Sequence, residues 1–241
     1  LAGVRGFDKE SEEIIGNAIA QELEAQAERH DVHEEYLKAQ MTLNGVVVTQ
    51  NYGTIDMASE FGVSRPTQTV TTATVLEDLQ SAMSKSKKNL LTGGRVSGYI
   101  LFASPSLFNA IIQSPDVLQA YQFSQSGANP LRNELGSIAN GYTMFRYGNI
   151  DVVLYDDAFQ NKAGETLTVL EEGKGVLVPR TKLGATVYAP ASTLSGLGKV
   201  GSKRFAQTYR DPKDRYIEVE SEQSTLVINE QFGSTVEITL G

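Results

Sequence analysis

Asp8-Lys-Glu-Ser-Glu-Glu-Ile-Ile-Gly-Asn-Ala-Ile-Ala-Gln-Glu-Leu-Glu-Ala-Gln-Ala-Glu-Arg-His-Asp-Val-His-Glu-Glu-Tyr-Leu-Lys-Ala-Gln-Met-Thr-Leu43 reads as one helix, with no Pro and only Gly16 as a weak interruption. It is roughly three times the length of a typical helix in a globular domain. Ile15, Ile19, Leu23, Ala27, His30, His33, Leu37 and Met41 recur in steps of four or three, which keeps one modest stripe on one face. At 1.5 Å per residue the rod is roughly 50 Å long, longer than a compact domain is wide, so part of it must lie along something else. Asn44 and Gly45 then close it, because Gly takes the left-handed conformation that ends a helix.

Outward from the rod, composition narrows the class. A chain of 241 residues can bury a proper core as one large domain or two small ones. It has no Cys, so thiol nucleophiles, thiolate metal sites and disulfides are excluded, in keeping with a reducing compartment. No apolar run approaches the ~18 residues of a membrane span, and no membrane partner is expected. The net charge of −8 is concentrated at the front: residues 1–60 hold 12 Asp and Glu against 4 Lys and Arg, while the remainder is balanced. Tight sequence-independent binding of nucleic acid needs a basic face, which is lacking here. A solvated acidic helix face fits this pattern, and so does a surface that faces DNA without adhering to it.

Beyond Gly45 strands begin. Val46 to Thr49 and Thr54 to Met57 flank Asn51-Tyr52-Gly53 as a hairpin, and Gly62 to Thr72 is extended. A second helix is expected from Thr74 to Leu91, with Lys85, Lys87 and Lys88 near its C-terminus, where cations suit the helix dipole. Tyr99-Ile-Leu-Phe-Ala103 reads as a buried strand, and Ser104-Pro105 as the cap and first turn of a helix through Ile112. Short helices follow at Pro115 to Tyr121 and Pro130 to Ile138, separated by a polar loop from Phe123 to Asn129. Tyr142 to Tyr147 and Ile150 to Tyr155 form a hairpin about Gly148-Asn149, and Val176 to Pro179 and Ala185 to Ala189 add strands. After a Gly-rich connection between Ser192 and Gly201, the tail alternates as strands at Phe205 to Tyr209, Tyr216 to Glu220, Thr225 to Ile228 and Thr235 to Leu240. Strand-rich ends around a mixed middle describe an α+β chain in which both termini build one domain and another is inserted.

Motifs that could carry chemistry each have a simpler reading. His30, His33 and Glu34 fall within about one turn, yet the His-Glu-x-x-His order and a third ligand are lacking, so packing or a partner contact is the better reading and no metal is expected. Gly196-Leu-Gly198-Lys-Val-Gly201 matches the dinucleotide fingerprint as text, but a strand rather than a helix follows it, so it reads as a flexible loop and no cofactor is expected. The carboxylate pairs Asp156-Asp157, Glu171-Glu172 and Asp211 with Asp214 read as turn and surface residues. No catalytic residue emerges.

The order of elements, carried by His33-Glu-Glu-Tyr-Leu-Lys-Ala-Gln-Met-Thr-Leu-Asn-Gly45, the unit Leu76 to Gln113, Gly148-Asn-Ile-Asp-Val-Val-Leu-Tyr155, Gly175-Val-Leu-Val-Pro179 and Tyr209-Arg-Asp-Pro-Lys-Asp-Arg-Tyr-Ile-Glu-Val-Glu220, resembles the major capsid protein E family of lambda-type tailed phages. The resemblance covers nearly the whole chain and implies the tailed-phage major capsid fold, Hong-Kong-ninety-seven type. Residues 1–71 and 206–241 would form a peripheral (P) domain with a spine helix at 8–43, and residues 72–205 an inserted mixed α/β axial (A) domain. The family's N-terminal arm and E-loop would precede the spine helix and are missing ahead of Leu1, as in a truncated prophage copy. A Pro frequent in relatives near Thr225 is also absent.

The resemblance further implies a structural protein without enzymatic activity, assembling as hexamers and pentamers into an icosahedral head that encloses double-stranded DNA. Its partners would be identical subunits, scaffold, portal and decoration proteins, its place the virion capsid, and its site of assembly the bacterial host cytoplasm. Contacts between neighbouring subunits are expected through Glu34, Glu35, Arg210, Asp211 and Arg215. Two alternatives stand beside this reading. One is an encapsulin-like nanocompartment shell, marked by a cargo-binding patch. The other is a hydrolase acting through a carboxylate pair, which requires a deep cleft containing Asp156, Asp157 or Glu172.

Overall fold

The computed structural model describes residues 9–49, 52–90, 95–122, 142–161, 163–196, 198–213 and 215–241. The chain divides into two compact units, one of residues 1–38 and 186–228, the other of 39–185 and 229–241. These boundaries concern packing within one chain; the boundaries at 71/72 and 205/206 implied by the resemblance concern roles within a shell. The architecture is α+β, with one long helix and several sheets.

The second unit holds the main core. Its six-stranded mixed sheet has the order β3-β14-β9-β4-β6-β5, built from β3 (Thr67–Val70), β14 (Val236–Leu240), β9 (Lys174–Pro179), β4 (Tyr99–Ala103), β6 (Ile150–Leu154) and β5 (Met144–Tyr147). The closing strand β14 lies parallel to β3 and antiparallel to β9, while β4 lies parallel to β6 and antiparallel to β9. As its apolar run implied, β4 is buried, with Leu101 and Ala103 fully enclosed. Helix α3 (Val75–Lys88) contributes Val75, Leu79 and Ala82 to this core, and α4 (Pro105–Ile112) contributes Leu107, Phe108 and Ile111. Burial of each larger apolar side chain stabilises by roughly 1.5–3 kcal/mol. Phe108 meets Phe145 of β5 edge-on, with ring centroids 5.6 Å apart. Pro105 starts α4 as expected, although Ser104 gives no side-chain cap.

Helix α1 runs Lys9–Ala39 and passes into a π turn, Gln40–Asn44, that ends on Gly45 at φ 71°. Three groups hold that end. The Gly45 N–H donates to the Gln40 carbonyl, Asn44 Nδ2 donates to Gln40 Oε1 (2.8 Å) and to the Val169 carbonyl (2.9 Å), and Arg65 donates to the carbonyls of Leu43 (2.5 Å) and Thr42 (2.9 Å). These last carbonyls have no partner within the helix, and a guanidinium suits the negative end of the helix dipole. Arg65 Nε also donates to Thr235 Oγ1 (3.0 Å), and its guanidinium lies 4.4 Å from the Phe232 ring centroid.

The hairpin of β1 (Val46–Thr49) and β2 (Gly53–Asp56) forms as expected, and a helical turn not expected from the sequence separates it from the extended segment that leads into β3. Asp56 accepts from the Ala58 N–H and opens a one-turn helix, α2 (Met57–Phe61), which Gly62 closes at φ 61°. Strands β7 (Ala158–Gln160) and β8 (Thr166–Thr168) form a further small hairpin that lacked a sequence signal. The expected loop at Phe123 to Asn129 and helix at Pro130 to Ile138 lie outside the described residues.

Two glycines with similar backbone angles separate conformation from packing. A Cβ on Gly45 would sit 2.2 Å from Phe232 Cε2, whereas one on Gly148, at φ 57°, would meet open space. Gly45→Ala should destabilise by about 3 kcal/mol or more and Gly148→Ala by about 1 kcal/mol, read from urea unfolding midpoints.

Candidate functional site

In the first unit a charged cluster forms along the inward face of α1. The ribbon of β11 (Phe205–Arg210) and β12 (Ile217–Glu222) is joined to the helix by Gln26 Nε2 donating to the Val219 carbonyl (3.2 Å) and by His30 Nε2 against Ser221 Oγ (2.9 Å). One turn on, Glu34 is buried with 4% of its surface exposed. Its carboxylate accepts from Lys38 Nζ (2.5 Å), Gln223 Nε2 (2.8 Å) and the Tyr188 hydroxyl (3.2 Å), and Lys203 Nζ lies 3.6 Å away. Asp31 accepts from Lys203 Nζ (2.9 Å) and pairs with Arg204.

These contacts move the proton affinities. Burial pushes the Glu34 carboxyl up, but the Lys38 bond and the Lys38 and Lys203 charges outweigh it and leave the group below its ordinary value. Hydrogen bonds from Lys203 and Arg204 hold Asp31 below its usual range, and the Asp31 bond raises Lys203. Burial lowers His30, helped by the Arg204 and His33 charges and opposed by Asp31.

The residues expected to meet a neighbouring subunit are not gathered in one place. Glu34 directs its charge into its own unit, while Glu35 is exposed. Arg210, Asp211 and Arg215 form the turn of the ribbon, where the Asp211 N–H donates to the Tyr216 carbonyl (3.0 Å) and Asp211 Oδ2 accepts from the Arg215 N–H (3.2 Å). Arg210 and Arg215 are exposed. Sequence reasoning missed Asp31, Tyr188, Lys203, Arg204 and Gln223, whose partners lie 150 or more residues away, so no local spacing links them.

The stripe needs one correction. His33 is exposed, and Glu34 occupies the inward position, because the helix advances four residues from His30 rather than three. Among the described residues no group of three His, Asp or Glu side chains could hold a metal. Two glycines of the Gly-rich string, Gly196 and Gly201, are closely packed, whereas Gly198 faces open space at φ 75°. A Cβ on Gly196 would lie 2.3 Å from the Ala191 carbonyl oxygen and one on Gly201 2.0 Å from that of Tyr188, and strand β11 follows. These glycines serve close backbone packing, which explains the string without a nucleotide.

The carboxylate pairs act locally. Asp157 accepts from the Tyr142 hydroxyl, Glu172 Oε1 accepts from the Ser106 N–H in the first turn of α4 (2.9 Å), and Glu171 pairs with Lys174 (2.6 Å). Asp214 lies outside the described residues. A groove of about 330 Å³ between Gln26, Arg29, His30 and β12, and a cavity of about 210 Å³ beside Arg65, Lys174 and Glu237, include none of Asp156, Asp157 or Glu172 in their lining. The cleft required by the hydrolase reading is not formed by either.

The sequence model of phage major capsid protein E matches residues 1–240. The chain belongs to that family. A phage major capsid protein E is a structural component of the head, so this chain's function is that of a capsid protein. It is 28% identical to the major capsid protein of Pseudomonas phage KPP10, over 92% of this chain and 68% of the relative. Its fold matches the crystal structure of a protein assigned as the capsid protein of a prophage in Escherichia coli CFT073, with a TM-score of 0.68, 12% identity, and coverage of 100% of this chain and 73% of that one. Among the described residues no helix is long and apolar enough to cross a membrane.

The cluster sets two expectations for this capsid protein. Glu34→Gln removes the negative charge that faces Lys38 and Lys203 while keeping the shape, and should destabilise by about 2 kcal/mol in chemical unfolding. Acid should also destabilise. As pH falls through about 6.5 the unfolded chain protonates His30 before the folded chain does, and through the carboxylate range it likewise protonates Asp31 and Glu34 first. The thermal midpoint should therefore be highest above pH 6.5 and fall in two stages on acidification, with Glu34→Gln reducing the second stage.

Proposed function

We propose that this chain is the repeating tile of an icosahedral phage head, assembled as hexamers and pentamers around double-stranded DNA. The observation that carries the reading is the family match from residue 1 to 240, which includes both the long helix and the returning strands. Residues 1–71 and 206–241 are assigned to the P domain, with α1 as its spine, and residues 72–205 to the inserted A domain. The arm and E-loop of the family would lie ahead of α1. Scaffold and portal proteins, and a decoration protein where the head carries one, are the further partners, and assembly takes place in the bacterial host cytoplasm.

Two features support a tile without catalytic duty. The carboxylates at Asp157, Glu171, Glu172 and Asp211 bond to neighbouring groups that fix turns and helix starts. The exposed acids Glu13, Glu24, Glu28 and Glu35 recur along one flank of α1, a surface that would repel packaged DNA rather than trap it. Glu35, Arg210, Asp211 and Arg215 are proposed as ionic contacts between copies, individually weak and effective through symmetry. Glu34 supports them indirectly by anchoring α1.

Expression of the full-length gene with its neighbouring scaffold gene, followed by electron microscopy, tests the reading. Closed shells of hexameric and pentameric capsomers are expected. Soluble subunits that never form particles under these conditions would contradict it.

A further inference from the structure

Strand β3 lies at one end of the six-stranded sheet and, among the described residues, pairs on one side only, with β14. The carbonyls of Pro66 and Val70 accept from the N–H groups of Glu237 and Gly241. Residues 66, 68 and 70 therefore turn their backbone groups toward β14, and residues 67, 69 and 71 turn theirs outward. An outward row of this kind is a template on which another strand can add.

The strand's own sequence does little to prevent that. Thr67-Gln-Thr-Val-Thr-Thr-Ala-Thr74 holds no charge, no Gly and no Pro, and six of its eight residues are β-branched, the composition of a segment that stacks readily on its own kind. Several other outer strands interrupt themselves. Arg146 lies on β5, Arg210, Glu218, Glu220 and Glu222 lie on β11 and β12, and β10 (Gly184–Tyr188), which pairs with β13 (Thr225–Asn229), opens on Gly184.

Helix α3 supplies what β3 lacks. Lys85 Nζ donates to the Thr67 carbonyl (2.7 Å), Gln68 Nε2 donates to the Thr69 carbonyl (2.9 Å), and the Thr71 N–H donates to Asp78 Oδ2 (3.1 Å). These are three successive outward positions. Each side chain gives the backbone group the partner that a neighbouring strand would give it, a donor for a carbonyl and an acceptor for an N–H. The three side chains also join one another, with Lys85 Nζ donating to Gln68 Oε1 (2.8 Å) and Gln68 Nε2 to Asp78 Oδ1 (3.3 Å). Asp78 in the first turn of α3 and Lys85 in its last turn fall on one side of the helix, and each sits at the end whose dipole suits its charge.

We propose that Asp78, Gln68 and Lys85 form a side-chain strap that seals the β3 edge against strand addition by a second copy of this chain. A chain made in the many copies that a shell requires meets itself more often than any other partner, and an uncharged β-branched strand pairs best with its like. The strap stands on the geometry of β3 and α3 and holds whether or not the shell reading does.

Thioflavin T fluorescence and fibre diffraction on the full-length protein test it. K85M and Q68M each remove a donor of the strap at similar side-chain length, K85R restores one, and K88M removes an exposed lysine from the same helix end. K85M and Q68M should shorten the half-time of the thioflavin T rise at least tenfold and give the ~4.7 Å strand spacing of cross-β aggregates. Hydrogen exchange of β4 and β9 in the soluble variants should stay as slow as in the wild type, and K85R and K88M should behave as the wild type throughout. K85M and Q68M that aggregate no faster than the wild type would overturn the proposal, as would K85R or K88M aggregating as fast as K85M. Rapid exchange of β4 and β9 in soluble K85M would also overturn it, because aggregation would then start from an opened core. Failure of both K85M and Q68M to fold would do the same, since these side chains would then support the core rather than seal its edge.

Discussion

Arg65 is the point at which the second unit is tied together. Its guanidinium reaches the last carbonyls of the α1 π turn, 22 and 23 residues back along the chain, and the Thr235 hydroxyl, 170 residues on, with the Phe232 ring beside it. Burial lowers its pKa to about 10, so it remains a cation at neutral pH, and the carbonyls of a helix C-terminus give that cation a partner of opposite polarity. With Arg65 placed, β3 starts beside it and β14 follows directly from Thr235, and the two pair in parallel. Gly45 belongs to the same knot, because Phe232 occupies the space that a side chain there would need.

The two units are stabilised by different physics. In the second, helices α3 and α4 cover a mixed sheet with apolar side chains, and its stability is that of a packed core. In the first, α1 meets the ribbon through Gln26 and His30, its buried Glu34 is held by Lys38, Lys203, Tyr188 and Gln223, and little apolar surface is enclosed. Polar clasps of this kind fix register and orientation more than they stabilise.

Local signals carried most of the elements. The rod and its end at Gly45, the strand Tyr99–Ala103, the Pro105 helix start and the hairpin about Gly148 were all legible, because each rests on residues within a few positions of one another. The π turn was not, since five-residue spacing leaves no pattern in side chains. Helix α2 had its signals in Asp56 and Gly62, but at five residues it is too short for periodicity to show. Strands β7 and β8 fail for the same reason. The placement of β14 between β3 and β9, and the burial of Glu34 among Tyr188, Lys203 and Gln223, depend on pairings across most of the chain, which a one-dimensional pattern does not contain. The exposed charges at Glu35, Arg210 and Arg215 were legible as surface residues, whereas the exposure of the apolar Leu194 and Val200 was hidden by the Gly-rich composition around them.

A side-chain-resolution cryo-electron microscopy reconstruction of the assembled head tests the central claim most directly. The account predicts that the six-stranded sheet and the Arg65 knot keep the geometry described here, and that Glu35, Arg210, Asp211 and Arg215 lie at contacts between neighbouring copies. A shell in which those groups stay in solvent and subunits join through the second unit alone would contradict it.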